Sequence, residues 1–442
     1  MSANDSLGQF AALFVSAITS IGIALAPAGV SGDEWPQWRG PNRDGVWRET
    51  GIVRQFSDKR LKPRWSQPIA SGYSGPTVAD GRVYVTDRVV EPEQIERVHC
   101  FDWQTGRPLW IHTYDAPYGK IGYTAGPRAA VTIDDGRAFA LGSMGHLHCL
   151  DAASGEVLWQ RDLDTEYKIR MPIWGIAAAP IVDGDLLILQ IGGSDGACLV
   201  ALDKTTGSEK WRALDDRASY SAPIFIRQAG RRVLVCWTGD NIVGLNAQTG
   251  EVFWEHPFAP AQMIINVPTP VVAKNRMFLT AFYDGAEMLR LGTEQLTVER
   301  VWRKKGADEQ QTEALHSMIS TPVILGDFVY GVDSYGQLRC LEADTGKRVW
   351  EDLTATPKAR WSTIHMVRNG DHMWMFNERG ELLIGKLSPD GFTEISRTKV
   401  IDPTTDQLRR RGGVCWAHPA FAYKHIFARS DKEIICTSLA AE

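Results

Sequence analysis

Ala201-Leu202-Asp203-Lys204-Thr205-Thr206-Gly207-Ser208-Glu209-Lys210-Trp211 decides the fold, because the chain repeats its outline. An acid or amide, a short turn closing on Thr-Gly or Ser-Gly, and a tryptophan four residues past the glycine recur at Asp102…Gly106…Trp110, Asp151…Gly155…Trp159, Asn246…Gly250…Trp254 and Glu342…Gly346…Trp350. An Asp or Asn side chain accepts backbone N–H groups two residues on, and glycine supplies the positive φ that closes a short hairpin. Apolar residues enter each turn (Cys149-Leu150, Leu202, Leu245, Cys340-Leu341) and leave it (Val157-Leu158, Val252-Phe253, Val349), so the motif reads strand, turn, strand. An indole buries roughly 150–250 Å², more than a lone hairpin covers, so each tryptophan must dock on the neighbouring unit. A β unit repeated at this interval builds a ring or a solenoid.

A second hairpin stands ahead of each of these, as in Pro76-Thr77-Val78…Asp80-Gly81-Arg82-Val83-Tyr84-Val85 and Pro180-Ile181-Val182-Asp183-Gly184…Leu187-Ile188-Leu189. Asp-Gly and Asn-Gly between alternating apolar residues are strong hairpin signals, and four strands make one propeller blade. The tryptophans that end fourth strands are Trp65, Trp110, Trp159, Trp211, Trp254, Trp302 and Trp350, with Ile395 in the eighth place. The unit ending at Trp302 lacks the Thr-Gly turn, and the one ending at Ile395 keeps only Asp390-Gly391. The strand at Trp65 precedes the first three-strand set, and the last set, from Pro419, has no fourth strand after it. Pairing the two closes the ring and removes both sheet edges. The expectation is an all-β fold, an eight-bladed β-propeller of four-stranded antiparallel blades over residues 61–442, in which the N-terminal strand completes the C-terminal blade.

The motif resembles the pyrroloquinoline-quinone (PQQ) type repeat, Ala-x-Asp-x-x-Thr-Gly-x-x-x-Trp. Ala201…Trp211 matches it best, and Cys100, Cys149, Cys340 or Gly244 stand where that alanine would be. The lead-in Trp35-Pro36-Gln37-Trp38-Arg39-Gly40-Pro41…Gly45 is similar to the start of bacterial envelope proteins of this repeat class. The repeat family holds both quinoprotein dehydrogenases and non-enzymatic envelope propellers of the BamB kind. On the first branch the resemblance implies PQQ in the propeller axis, calcium or a lanthanide held by Glu, Asn and Asp, a catalytic Asp and often a disulfide of adjacent cysteines. This chain has no Cys-Cys pair, and Asn266 alone among the axis-facing strand entries does not make a hard-cation site, which needs several oxygen ligands. The reading is therefore a non-catalytic propeller of the bacterial envelope, without cofactor, serving protein partners or a small ligand. The alternatives are a PQQ-dependent dehydrogenase with calcium, and an enzyme of other chemistry in the central funnel.

The 442 residues are filled by eight blades as one domain, and a net charge of −5 argues against a nucleic-acid surface. Phe10 to Ala28 is apolar and rich in small residues, so residues 1–32 read as a signal peptide or a retained anchor of an exported protein. Against a cleaved signal stands the lack of Lys or Arg in the first nine residues, which carry Asp5. Seven cysteines with no adjacent pair make no disulfide framework. Cys100, Cys149 and Cys340 share one repeat position and read as small buried strand residues. Residues 33–60 read as an N-terminal strap, with Trp35, Trp38 and Trp47 buried against the outside of the ring. A monomer is expected.

The innermost strand of each blade begins near the axis. Tyr73, Trp174, Tyr220, Asn266, His316, Trp361, Trp416 and His418, with Arg128 and Arg170 nearby, would line a funnel suited to a sugar, an aromatic ligand or a peptide segment. The alternative is that these rings pack on one another and plug the channel. His146-x-His148 puts two imidazoles on one face of a strand, a geometry metals use, with no third ligand placed by sequence. Arg409-Arg410-Arg411-Gly412-Gly413, in the link between the seventh and eighth units, reads as a solvated loop, the alternative being an anion or partner site. No nucleophile elbow, P-loop, paired catalytic carboxylates or dinucleotide fingerprint occurs, so no catalytic or metal residue is assigned.

Overall fold

The computed structural model describes residues 33–408 and 412–441; the leader expectation for 1–32 and the three arginines from Arg409 lie outside the described residues. Thirty-two strands form eight four-stranded antiparallel sheets. Blades 1 to 7 span residues 77–115, 132–162, 181–213, 224–257, 271–304, 323–352 and 364–399. Blade 8 takes its three inner strands from residues 420–438 and its outermost strand from Trp65–Pro68, with Trp65 opposite Cys436 and Pro68 opposite Glu433. The innermost strands of blades 1 and 8 touch, so the ring closes as the sequence predicts. Among the described residues no helix is long and apolar enough to cross a membrane.

The turn chemistry follows the motif. Asp102 Oδ1 accepts from the N–H groups of Gln104 (3.1 Å) and Thr105 (2.8 Å), and Asp203 Oδ1 accepts from Thr205 and Thr206 at 2.9 Å each. The glycine that follows has two duties. Gly250 sits at φ +74°, and a Cβ there would lie 2.6 Å from the ring of Trp211 on the preceding blade. The same relation holds for Gly106 with Trp65, Gly155 with Trp110, Gly207 with Trp159 and Gly346 with Trp302. Each indole N–H then donates across the seam to a backbone carbonyl, Trp110 to Ala152 (3.2 Å), Trp211 to Ala247 (2.9 Å) and Trp302 to Ala343 (2.7 Å).

Within its own blade each tryptophan pairs with a small or slender residue of the third strand: Cys100, Cys149, Ala201, Gly244, Met288 or Cys340. At Gly244 even a Cβ would come within 2.2 Å of the Trp254 indole. All seven cysteines are free and buried, and Cys436, opposite Trp65, joins this set. A bulge just beyond the pair recurs in blades 1 to 7. In blade 7 that bulge holds Ile395, and Ser396 takes the tryptophan's register position, so the stand-in is one residue out. Phe56 of the N-terminal segment docks there, its N–H on Ser396 Oγ at 2.8 Å and its ring 5.9 Å from Trp374.

Residues 33–60 do not all strap the outside. The stretch from Val46 onward follows blades 7 and 8, with bridges from Val46 to Arg368, Ile52 to Ala440 and Arg60 to Lys399. Residues 35–43 instead turn across the innermost strands. Trp35 exchanges hydrogen bonds with Val78 in blade 1, and Pro36 accepts from Ile133 in blade 2. Arg43 donates to Ala179, Pro180 and Pro223 carbonyls entering blades 3 and 4, and Trp38 Nε1 donates to Thr269 Oγ1 ahead of blade 5 at 2.8 Å. Trp35 also packs against Phe421 of blade 8. A segment this short reaches so many innermost strands only at the axis, where it forms a plug. The physical reason is unmet hydrogen bonding: the carbonyls beside Pro180 and Pro223 face the channel, and a buried guanidinium satisfies three of them at once.

Candidate functional site: an aromatic cup on the propeller axis

On the axis, next to the plug, lies a cavity of about 140 Å³. Its floor is Trp38 with His365 and His418, and the Trp38 and His418 rings meet edge to face at 4.5 Å. His365 Nε2 bonds to the Trp416 carbonyl at 2.8 Å, and His418 Nδ1 lies 3.3 Å from the Pro419 carbonyl. Burial pushes His365 down to about 4 and His418 to about 3, so both rings are neutral at neutral pH.

The walls are unequal because of the residue that enters each first strand. Blades 2, 3 and 4 enter through Ala130, Ala179 and Ala222, all of which line the cavity together with Ala177. Blades 5, 6 and 8 place Thr269, Thr321 and His418 immediately before the strand-opening proline. Small side chains on one side and larger ones on the other set the cup toward blades 2 to 4, with Val267, Met318 and Ile319 opposite.

The mouth is aromatic. Trp174 and Tyr220 lie 5.1 Å apart at 31°, Tyr123 meets Trp174 edge-on at 5.6 Å, and Trp416 stands 6.2 Å from Tyr123. The Tyr220 hydroxyl accepts from the Trp174 N–H at 3.3 Å, and burial pushes Tyr220 up to about 12. Among the described residues Arg128 is the one cation of the lining. Its Nη1 donates to Gly126 O (3.1 Å) and Ser143 Oγ (2.9 Å), its Nη2 to Gly122 O (2.8 Å) and Tyr123 O (2.5 Å), and its guanidinium lies 5.0 Å from the Tyr73 ring centre.

Tyr73, Arg128, Trp174, Tyr220, Trp416 and His418, all expected at the funnel, thus come together around this cavity. The other four candidates do not line it. Trp361 packs behind Trp416 at 6.4 Å. Asn266 is buried and spends its Nδ2 on the Thr238 carbonyl at 2.9 Å. His316 is buried between the Phe282 carbonyl (2.9 Å) and the Gly306 N–H (3.3 Å). Arg170 turns outward to the carbonyls of Asp215 and Asp216. Sequence reading missed Trp38, Tyr123, His365 and the three alanines. Their signal was the small residue before each first strand and the unrepeated lead-in.

His146 and His148 sit at the seam of blades 1 and 2, where His148 Nδ1 is 3.2 Å from His112 Nε2 and the Tyr114 ring stacks at 4.2 Å. Among the described residues no cluster of His, Cys, Asp or Glu is arranged to hold a metal ion. The PQQ alternative can be tested on the lining itself. That quinone carries three carboxylates, whereas among the described residues the cup offers one cation and no carboxylate or amide side chain to share a calcium ion. The residues present do not fit the group.

The fold and its recurrent tryptophan seams define a β-propeller of the PQQ-type repeat class. The family model described as outer membrane protein assembly factor BamB matches residues 94–351, and the chain belongs to that family. It is 23% identical over 245 residues to the outer membrane protein assembly factor BamB of Burkholderia pseudomallei, a match covering 54% of this chain and 58% of that protein. The chain therefore spans little more than half the length of that relative. It is also 28% identical over 170 residues to a 1-butanol dehydrogenase (quinone) of Thauera butanivorans, covering 35% of this chain and 26% of the enzyme. The crystal structure of BamB from Moraxella catarrhalis shares the fold with a TM-score of 0.58 at 18% identity, over 86% of this chain and 98% of that one.

Proposed function

We propose that this chain is a non-catalytic propeller of the bacterial cell envelope on which protein partners dock. One observation carries the reading: its axis is plugged by its own N-terminal segment and, among the described residues, lined without a carboxylate, while apolar side chains stand exposed in the links around the mouth. In four-stranded antiparallel blades every link from an outermost strand to the next innermost strand lies on one face of the ring. Ile173, 47% exposed, and Met263, 40% exposed, are carried by two such links, with Trp174 and Ile264 beside them. Exposed apolar residues grouped on one face are a feature of interaction sites. The link holding Met171-Pro172-Ile173-Trp174 and the one holding Met263 form the proposed docking face, and the apolar stretch from Phe10 to Ala28 supports export.

Capture of partners from a bacterial envelope fraction tests this. The wild-type chain is expected to retain a defined partner that an Ile173→Asp, Met263→Asp variant loses while keeping its melting temperature. Equal capture by the variant sinks the assignment of the face. The likeness to the quinone-dependent butanol dehydrogenase supports a second reading, and dye-linked alcohol oxidation with added PQQ and calcium decides it. Turnover with stoichiometric quinone uptake would replace the first reading with the second.

A further inference from the structure

We infer that the axial cup is a binding site for a small aromatic monocarboxylate, a single planar ring carrying one negative charge. The inference shares Trp174 with the docking face proposed above but is tested apart from it.

Three properties of the lining select that chemistry. The first is size. A cavity of roughly 150 Å³ walled by apolar side chains takes up benzene, and this one measures about 140 Å³. Trp174, Tyr220, Tyr123 and Trp416 present ring faces and edges at its mouth, and the alanines of blades 2 to 4 keep a flat space open beside them. One ring fits; a fused three-ring system does not.

The second is charge. Arg128 forms no ion pair among the described residues, its four Nη hydrogens being held by neutral carbonyl and hydroxyl oxygens. Those bonds fix the guanidinium without neutralising it. Among the described residues no Asp or Glu lines the cup. An immobile, uncompensated cation at an apolar cavity favours one anionic group and gives no place to a second.

The third is the sign of the hydrogen-bonding groups. The Tyr220 O–H has no acceptor among the described residues, although its oxygen accepts from Trp174, and the Arg128 Nε–H is likewise without an acceptor. The two groups are close enough for the Arg128 charge to act on Tyr220. Donors without acceptors suit a carboxylate. A sugar, whose hydroxyls must both give and receive around the whole ring, meets no Asp, Glu, Asn or Gln among the described residues here.

Calorimetric titration of the full chain at pH 7.5 with benzoate, benzamide and cyclohexanecarboxylate tests the inference. Benzoate is expected to bind saturably, at least tenfold tighter than either the uncharged amide or the non-aromatic acid. Arg128→Gln should abolish the preference for acid over amide. Because Arg128 also holds the loop at Gly122 and Tyr123, the second variant is Ala222→Leu, which fills the cup without touching a polar group. It should weaken benzoate at least tenfold at unchanged circular dichroism and melting temperature. Absence of saturable benzoate binding, equal affinity for benzamide, or an Ala222→Leu variant that binds as the wild type does would each overturn the inference. Partner capture, scored separately on the same variant, is expected to be unaffected.

Discussion

At the seam between blades 3 and 4, Trp211 lies on Gly250 and donates its indole N–H to Ala247 O at 2.9 Å. At the axis Trp38, half-buried, meets His418 edge to face and donates to Thr269 Oγ1 at 2.8 Å. The contacts are alike in kind, but the first recurs around the ring and the second occurs once. A seam tryptophan joins two blades and is repeated because every blade needs a neighbour. An axial residue answers to all the blades together, so it follows no period. Stability should therefore concentrate in the seams, and selectivity in the axis.

The sharpest way to break that contrast is Trp211→Ala. Removing a buried tryptophan that fills a seam costs about 3–5 kcal/mol, read as a shift of the urea midpoint. Trp416→Ala, at the edge of an existing cavity, should cost clearly less while altering ligand binding. If the two cost the same, seams and axis do not divide the work.

The axis should instead reveal itself in acid. His365 and His418 are held neutral by burial, at about 4 and about 3. Above about pH 6.5 both the folded and the unfolded chain carry neutral imidazoles and no stability is lost. Below it the unfolded chain takes up protons that the folded one refuses, so stability falls with pH until the folded rings protonate. The loss is on the order of 2 kcal/mol per ring at pH 5. Denaturation at pH 7.5 and pH 5 should show it, and His365→Gln should remove about 2 kcal/mol of a total to which the buried seam histidine His148, pushed down to about 3, also contributes.

Paired glycines sharpen the seam side. Gly207 has φ +72° and its Cβ would lie 2.8 Å from Trp159, whereas Gly184 has φ +60° and open space around it. Alanine at either site meets the left-handed backbone cost of roughly 1–2 kcal/mol. Gly207→Ala should exceed Gly184→Ala by about 1 kcal/mol or more, because only the first displaces an indole. Equal losses would mean that turn geometry, and not indole contact, keeps the motif glycine.

This is also where sequence reading succeeded and where it stopped. Asp203, Gly207 and Trp211 are local and periodic, so turn chemistry and the area of an indole led directly to blades, and counting them led to ring closure at Trp65. The cup depended on what eight unrelated links bring together. Tyr73 and Trp174 were legible as strand entries, but Asn266 and His316 look the same in sequence and are turned into the blades by Thr238 and Phe282. The plug was illegible because Trp35 and Arg43 find their partners in blades that begin dozens of residues later. Ile395 was placed one residue from Ser396 because a bulge shifts register without leaving any mark in composition.

The smallest expected effect comes from the seam that lost its motif. Blade 5 has no Thr-Gly turn to offer Trp254 a carbonyl. Gln228 fills the gap, its Oε1 accepting the Trp254 indole N–H at 2.8 Å while its Nε2 donates to Thr297 O of blade 5 at 2.6 Å. One side chain thus relays the bond that a backbone carbonyl makes directly at the neighbouring seams. Gln228→Leu keeps the bulk and strands both groups, at a cost of about 1–2 kcal/mol. Gln228→Glu retains an acceptor for Trp254 and loses the donor to Thr297, and at pH 7 it sets a carboxylate against a carbonyl oxygen. Gln228→Met carries no charge and gives up both bonds, so a loss in Gln228→Glu larger than in Met measures the repulsion of the carboxylate. If Met and Leu leave the urea midpoint unchanged, the relay is incidental and apolar packing alone holds the seam between blades 4 and 5. A loss in both, smaller than that of Trp211→Ala, places the hydrogen bond below the indole contact in what binds one blade to the next.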